Sequence, residues 1–177
     1  MLHLHLTDNE YPFTGFTHTR LVARAILLNE QNKIALHTLH RDDIFGNQTY
    51  LETPGGGVDE GETFEEAVKR ECLEETGADI QIICPLGEVE DAYNLIGRKN
   101  INRFYLCRIL SQKEKHFVSE GDGFIQHTDF YSIDEAISAY RKQEDHRVAG
   151  LVKRRELPLL LEAKNYLEIK ITHQSSS

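Results

Sequence analysis

The feature that most constrains the fold of this chain is residues 55–78, a run of three glycines followed by a short acidic helix. Thr63 and Glu66 have the spacing of a capping box, in which the two residues satisfy backbone N–H groups at the start of a helix. Gly77 can adopt the left-handed conformation in which helices commonly end. These signals predict a glycine-rich turn and then a helix over residues 64–76.

The helical wheel of this segment groups carboxylates with apolar side chains. At ~100° per residue, one sector contains the apolar residues that we expect to face the core: Phe64, Ala67, Val68 and Cys72. Three carboxylates fall inside or beside that sector: Glu71, Glu74 and Glu75. The solvated face holds Glu65, Glu66, Lys69 and Arg70, and we expect Leu73 to pack under another element.

Three inward-facing carboxylates need an explanation, because burying an unpaired carboxylate costs several kcal/mol or forces it to bind a proton. The spacing of i, i+3 and i+4 also brings the like charges together. Mg²⁺ or Mn²⁺ would resolve both costs, since these cations prefer oxygen ligands. A structural ion pair with Arg70 is the alternative, and the two explanations are compatible.

The same residues resemble the signature of the Nudix superfamily, which is Gly, five residues, Glu, seven residues, then Arg-Glu-aliphatic-x-Glu-Glu-x-Gly-aliphatic. All glycine and charged positions of that motif are filled in this sequence: Gly56, Glu62, Arg70, Glu71, Glu74, Glu75 and Gly77. Cys72 and Ala78 stand where bulkier aliphatic residues are usual. Both are small and apolar, so they affect packing rather than chemistry.

The resemblance implies a role for each residue of the motif. The expected metal ligands are Glu71, Glu74 and Glu75, with the backbone carbonyl of Gly55 as a further ligand. Arg70 is expected to orient the glutamates, and Glu62 is expected to support them. A general base is also needed, for which Glu74 and Glu75 of the motif are candidates. Glu120, in a downstream loop, is a third candidate, although an exposed loop charge explains it equally well.

The activity that the resemblance implies is hydrolysis of the pyrophosphate linkage of a nucleoside diphosphate joined to another group. Metal-activated water would attack phosphorus. A nucleoside triphosphate, a dinucleoside polyphosphate and a nucleotide sugar all remain open as substrates. A catalytically silent Nudix-fold module that senses or binds a nucleotide is the alternative, but such modules typically lose motif glutamates, which this chain keeps.

Outside the motif, three residues are candidates for substrate binding. Arg98 and Arg103 lie near a predicted strand end, where they could contact phosphates, and Tyr93 could stack on a base. Tyr93 is one residue short of the position at which dinucleoside polyphosphate hydrolases tend to have a tyrosine. Asn94 stands where ADP-ribose hydrolases tend to have a proline, so that marker is missing.

The rest of the chain predicts an irregular mixture of strands and helices. Strands are predicted at residues 2–6, 19–29, 33–40, 50–53, 80–90, 101–110 and 128–133, with a hairpin joining the second and third. Residues 41–48 are predicted to be a loop. Helices are predicted at residues 134–142 and 157–168, the latter with Pro158 in its first turn.

This mixture favours an α/β (α+β) fold, and the resemblance implies a Nudix-type α/β/α sandwich with a mixed β-sheet. One domain over residues 1–172 is expected, followed by a disordered tail over residues 173–177. Many relatives form dimers, so a homodimer is possible.

The composition of the chain indicates which kinds of partner it is not expected to bind and where in the cell it is expected. The net charge of −9, from 20 basic and 29 acidic residues, disfavours binding to nucleic acid or an anionic membrane. No signal peptide and no run of ~20 apolar residues is found, so a cytoplasmic location is expected. Among the nine histidines, His37 and His40 are interpreted as strand and loop residues. The run at residues 153–155 is interpreted as an exposed basic patch.

Overall fold

The structure is a computed structural model that describes residues 1–113 and 123–174, with side chains described as far as Thr172. Its strands are β1 (Leu2–His5), β2 (His18–Leu28), β3 (Ile34–Asp43), β4 (Gly46–Glu52), β5 (Gly55–Gly57), β6 (Ala78–Tyr93), β7 (Arg98–Gln112) and β8 (Ile125–Tyr131). Its helices are α1 (Phe64–Thr76), α2 (Ile133–Lys142) and α3 (Arg147–Gln174), with a 3₁₀ turn at Asn94–Ile96.

The strands of the described residues form one mixed eight-stranded sheet in the order β1-β6-β7-β2-β3-β4, with β5 beside β2 and β8 beside β3. β1 pairs with β6 and β2 pairs with β7 in parallel, and the other pairs are antiparallel. The predicted hairpin of β2 and β3 is paired only at Leu28 and Ile34. Further along β2, the glycine strand β5 takes the neighbouring position instead.

Helices cover both faces of this sheet. Ile26 and Leu28 of β2 belong to the larger core beneath α2 and α3. The alternating residues Ala25 and Leu27 belong to a second core, beneath α1. Because successive side chains of a strand point to opposite faces, β2 is buried on both sides. The expected sandwich of helices around a mixed sheet is therefore confirmed.

Helix α1 begins and ends where the sequence predicted. The Thr63 side chain accepts a hydrogen bond from the Glu66 N–H at 3.1 Å, and the Glu66 carboxylate accepts one from the Thr63 N–H at 2.8 Å. Gly77 has a φ of 69° and ends the helix. The expectation for Leu73 was wrong, because its side chain is 45% exposed on the solvent side of α1.

Two segments differ from their predictions. Residues 41–48 are not a loop, since β3 and β4 pair through them as far as Asp43 and Gly46. Helix α3 begins ten residues before its predicted start, so Pro158 lies inside the helix rather than in its first turn. A proline there removes a backbone hydrogen bond at a cost of roughly 3 kcal/mol. Burial of apolar side chains along α3 offsets that cost: Val148, Leu151, Val152, Leu159 and Leu160.

Helix α3 also extends further towards the C-terminus than predicted. The helix continues to Gln174, two residues into the segment that was expected to be disordered. None of the helices in the described ranges combines the length and the apolar run that a membrane span requires.

Candidate active site

A cleft of about 570 Å³ is lined by both β2 and β3, close to the place where these two strands stop pairing. The rest of the lining includes residues of β4, β5, β6, β7, β8, α1 and α3, with the loop residue Asp59 and the 3₁₀-turn residue Ile96. Its lining includes the three inward-facing glutamates, Glu71, Glu74 and Glu75. It also includes six arginines: Arg20, Arg24, Arg41, Arg70, Arg98 and Arg155. The cleft is therefore strongly charged with both signs.

Glu75 is buried, with 7% of its surface exposed, and two donors hold its carboxylate. Its Oε2 accepts a hydrogen bond from the backbone N–H of Gly55 at 2.9 Å and lies 2.9 Å from Nε2 of His37. His37 is 2% exposed, and its Nδ1 lies 2.8 Å from the Thr128 hydroxyl. With Glu75 ionised, Nε2 of His37 must carry the hydrogen, because a carboxylate only accepts.

The interpretation of His37 as an ordinary strand residue was therefore incomplete. A polar residue directly after the apolar run of Ile34 and Leu36 in a buried strand was the available signal, but nothing local to β3 indicates the partner. Glu75 lies on a different element and 38 residues away in the chain.

Arg70 connects the glutamates to the glycine strand. Its guanidinium donates two hydrogen bonds to the Glu62 carboxylate, at 2.8 Å and 2.9 Å, and one to the carbonyl of Gly57 at 2.8 Å. It also donates to Glu71 at 2.7 Å and pairs with Glu74 at 3.5 Å. Hydrogen bonding to Arg70 lowers the pKa of the Glu62 carboxyl. This geometry fits the expected orienting role of Arg70.

Two glycines of β5 occupy places that no side chain could share. Gly55 has a φ of 144°, and a Cβ on it would lie 2.2 Å from the carbonyl oxygen of Ala23. A Cβ on Gly56 would lie 2.5 Å from the carboxyl carbon of Glu71. Because both distances are far below van der Waals contact, the backbone can approach β2 and the Glu71 carboxylate only where glycine is present.

Glu71 is 8% exposed, and its environment disfavours the charged form. Burial raises the pKa of the Glu71 carboxyl to about 7, and the neighbouring carboxylates of Glu75 and Glu74 also raise it. The hydrogen bond from Arg70 acts in the opposite direction but does not outweigh burial. A nearby cation would stabilise the ionised form of this buried carboxyl more than that of an exposed one.

We expect the metal-free protein to lose stability as the pH rises from about 4.5 to about 7, through the titration of Glu71. The unfolded carboxyl releases its proton near pH 4.5 and the folded one near pH 7, so the folded state holds more protons between these values. Stability from this group is complete below the lower value and falls as the pH rises. Thermal unfolding with a chelator present, compared for the wild type and Glu71→Gln, measures the effect.

The glutamine variant should gain stability over the wild type as the pH rises, while Glu65→Gln, an exposed change on the same helix, should follow the wild type. A constant difference between wild type and Glu71→Gln across this pH range would contradict the prediction.

The donor set of the cleft fits a hard divalent cation, although its side chains are not gathered around one point. Four carboxylates, of Asp59, Glu62, Glu71 and Glu74, lie within ion-pair distance of the Arg70 guanidinium, and the Glu75 carboxylate lies beside His37. Among the described residues, no three His, Cys, Asp or Glu side chains are placed so that they could hold a metal as they stand. Arg70 draws two of the glutamates and His37 holds the third. Coordination of an ion therefore requires small side-chain rotations.

The remaining predicted site residues fall into three groups. Tyr93 and Arg98 line the cleft, with the guanidinium of Arg98 5.0 Å from the centre of the Tyr93 ring.

Arg103 does not reach the cleft. Its guanidinium instead pairs with Glu88 at 2.7 Å and lies 4.2 Å from the centre of the Phe64 ring. The alternation of β7 explains this correction, because residues 98, 100 and 102 line the cleft and 103 points to the other face. Glu120 lies outside the residues that the structure describes.

Sequence reasoning also missed the floor of the cleft, where Arg155 is 2% exposed. Its guanidinium donates to Glu52 at 2.7 Å, to Glu156 at 2.9 Å and to the Tyr93 hydroxyl at 3.0 Å, and it pairs with Asp91 at 3.5 Å. The interpretation of residues 153–155 as an exposed basic patch was therefore wrong at Arg155. The spacing of Val148, Val152, Arg155 and Leu159 on one helical stripe was the signal that could have predicted its burial.

Arg24 completes this buried network from the side of β2. It donates to Glu52 at 2.9 Å and to the carbonyl of Thr53 at 3.0 Å, and lies 3.6 Å from Glu156. Burial raises the pKa of the Glu52 carboxyl, but Arg24 and Arg155 outweigh burial and lower it. Glu52 therefore remains ionised between two guanidinium groups.

Comparisons with known proteins agree with this geometry. The family model of the NUDIX domain matches residues 18–152. The fold is similar to that of a NUDIX hydrolase from Nitrosomonas europaea, with 18% identity, a TM-score of 0.64, and coverage of 83% of this chain and 89% of that one. It is also similar to the MutT protein from Methanosarcina mazei Go1, with 18% identity, a TM-score of 0.56, and coverage of 81% and 95%.

A third similar structure is that of an Ap4A hydrolase from C. elegans, in a binary complex, with 15% identity, a TM-score of 0.57, and coverage of 83% and 98%. No significant match exists among curated proteins. At these identities, the likeness to the solved structures shows a shared fold.

Proposed function

This chain belongs to the NUDIX domain family, and on that premise we propose that it hydrolyses the pyrophosphate linkage of a nucleoside diphosphate joined to another group, in a divalent-metal-dependent reaction. The expected enzyme class, a Nudix pyrophosphohydrolase, is confirmed by the family match. The observation that carries the proposal is the burial of Glu71 and Glu75 beside a glycine strand, where Glu71 pairs with Arg70 and Glu75 lies against His37.

The residues proposed to hold the metal are Glu71, Glu74, Glu75 and the carbonyl of Gly55. When bound there, Mg²⁺ or Mn²⁺ supplies Lewis-acid chemistry, lowering the pKa of a water and neutralising charge on the diphosphate. His37 and the Gly55 N–H fix the Glu75 carboxylate. Arg70 holds Glu71 and Glu74 close to the glycine strand, where they would be placed to bind a cation.

The proton of the attacking water needs an acceptor, and the proposed candidates are Glu74, Glu75 and Glu120. Glu74 is the least restrained of the three α1 glutamates in the cleft, because its ion pair with Arg70, the one it makes among the described residues, is 3.5 Å long. A glutamate that is free to turn can take up a proton without giving up a tight hydrogen bond.

Titration with Mg²⁺ and Mn²⁺, followed by a phosphate-release assay over a panel of nucleotides, tests the proposal. We expect either ion to raise the midpoint of thermal unfolding, because it binds the folded protein only. We also expect metal-dependent hydrolysis of at least one nucleoside diphosphate derivative. Stabilisation by metal without turnover of any compound would favour a nucleotide-sensing module, and no response to metal would favour a structural role for the acidic helix.

The fold alone does not determine which substrate the enzyme hydrolyses. Similar structures include those of an ADP-ribose pyrophosphatase, a UDP-X diphosphatase and an Ap4A hydrolase. A small nucleotide therefore stays the proposed substrate class. The single domain over residues 1–172, the cytoplasmic location and the homodimer also stay predictions.

A further inference from the structure

Two arginines of the cleft lack the counter-ion that the others have. Arg24, Arg41, Arg70 and Arg155 each pair with at least one carboxylate. Arg20 of β2 and Arg98 of β7 make neither an ion pair nor a hydrogen bond with any residue of the described ranges, 1–113 and 123–174. β2 and β7 are parallel neighbours, and Arg20 lies opposite Asn100, two residues from Arg98. The two guanidinium groups therefore belong to one wall of the cleft.

The position of Arg98 is costly without a ligand. Its Nε is buried and has no hydrogen-bond partner among the residues that the structure describes. Burial lowers the pKa of Arg98, and the charges of Arg20 and Arg155 lower it further, while Asp91 acts in the opposite direction without outweighing them. A partly desolvated guanidinium among other cations is stabilised by an anion that reaches it from the cleft.

Arg20 connects this wall to the glutamates. A Cβ on Gly57 would lie 3.1 Å from Nη2 of Arg20, so the guanidinium of Arg20 is packed against β5. The carbonyl of the same glycine accepts the hydrogen bond from Arg70. Arg20 is exposed to the cleft, so it can receive a ligand without losing a protein partner. A chain of phosphates that begins beside Glu71 would pass Arg20 and then reach Arg98.

We propose that Arg20 and Arg98 form an anion subsite for a phosphoryl group beyond the diphosphate that is held beside the glutamates. This inference rests on the proposed function for the location of that diphosphate. It assigns the substrate class to compounds with three or more consecutive phosphates, either nucleoside triphosphates or dinucleoside polyphosphates. Nucleotide sugars, which have two phosphates, leave the subsite without a ligand.

A binding experiment tests the subsite independently of catalysis. Inorganic tripolyphosphate is titrated calorimetrically into the full chain, with a chelator present, for the wild type, Arg20→Gln and Arg98→Gln. Each variant is expected to bind about tenfold or more weakly than the wild type, because it loses charged hydrogen bonds. Arg103→Gln is the matched control, since this arginine of β7 points away from the cleft, and its affinity should equal that of the wild type. No binding by the wild type, or equal affinity in all four proteins, would overturn the proposal.

A kinetic experiment then separates the substrates. With Mg²⁺, Arg98→Gln is expected to lower kcat/KM for a nucleoside triphosphate or a dinucleoside polyphosphate about tenfold more than for a uridine diphosphate sugar. Comparing kcat/KM for the nucleoside triphosphate with that for the dinucleoside polyphosphate shows which of these two substrates the subsite serves. Equal losses for all three compounds would overturn the subsite. If the wild type binds tripolyphosphate through these arginines but hydrolyses nothing, the proposed function fails and the subsite stands.

Discussion

Glu75→Gln is expected to lower kcat by about 10³-fold or more while the protein stays folded. Glutamine has the size of glutamate, and its carbonyl oxygen can still accept the hydrogen bond from the Gly55 N–H. It cannot supply the negative charge that a divalent cation needs, so the affinity for metal and the charge neutralisation of the diphosphate should both fall. The loss is expected to be large because this carboxylate is buried and is held in place by His37 and the Gly55 N–H.

Phosphate release at saturating nucleotide and a range of Mg²⁺ concentrations measures the effect, and circular dichroism checks folding. Glu65→Gln is the matched control, because it makes the same change on the exposed side of the same helix, where the carboxylate accepts a hydrogen bond from Tyr105. A folded Glu75→Gln protein with a kcat close to that of the wild type would show that Glu75 does not take part in the reaction.

Arg155→Met is expected to lower the free energy of unfolding by about 3–5 kcal/mol. Methionine fills much of the same space, but the buried carboxylates of Asp91 and Glu156 would lose their contact with the Arg155 guanidinium. Among the described residues, Glu52 and Glu156 would then share Arg24 as their arginine partner. Removing one partner of a buried ion cluster costs more than the cluster contributes, because the remaining charges cannot reach water.

Chemical denaturation of the wild type and the variant measures this loss, and the midpoint of thermal unfolding should fall by roughly 6–20 °C. Arg154→Met is the control, since the neighbouring arginine donates to the Thr7 carbonyl and the Asn9 side chain at the surface. Its expected cost is about 1 kcal/mol or less. Equal stability of the two variants would mean that the buried network contributes little.

The parts of the structure that sequence reasoning predicted are those with local signals. Helix α1 matches its predicted bounds because the capping box and Gly77 act within a few residues of the helix ends. The inward orientation of Glu71 and Glu75 follows from helical periodicity alone, and both residues are buried. The mixed sheet between helices was predicted from the resemblance and from the irregular order of strands and helices.

The parts that were missed depend on contacts between distant residues. The hydrogen bond between His37 and Glu75 spans 38 residues, and that between Arg155 and Glu52 spans 103 residues. Whether Arg98 or Arg103 faces the cleft depends on the register of β7 in the sheet, which the sequence of β7 does not specify. Residues 41–48 resemble a loop because they are polar, but their polarity reflects a strand pair at the edge of the cleft.

Strands β2 and β3 are paired at one position, between Leu28 and Ile34. This has a consequence for how the substrate preference of the enzyme could change. Since the strands themselves part to make room, the floor and one wall of the cleft consist of regular backbone rather than of surface loops. Side chains at alternate positions of a strand can be exchanged while the ladder that carries them keeps its place. New selectivity is therefore accessible by single substitutions at positions such as 20 and 98, without rebuilding the frame that holds the glutamates.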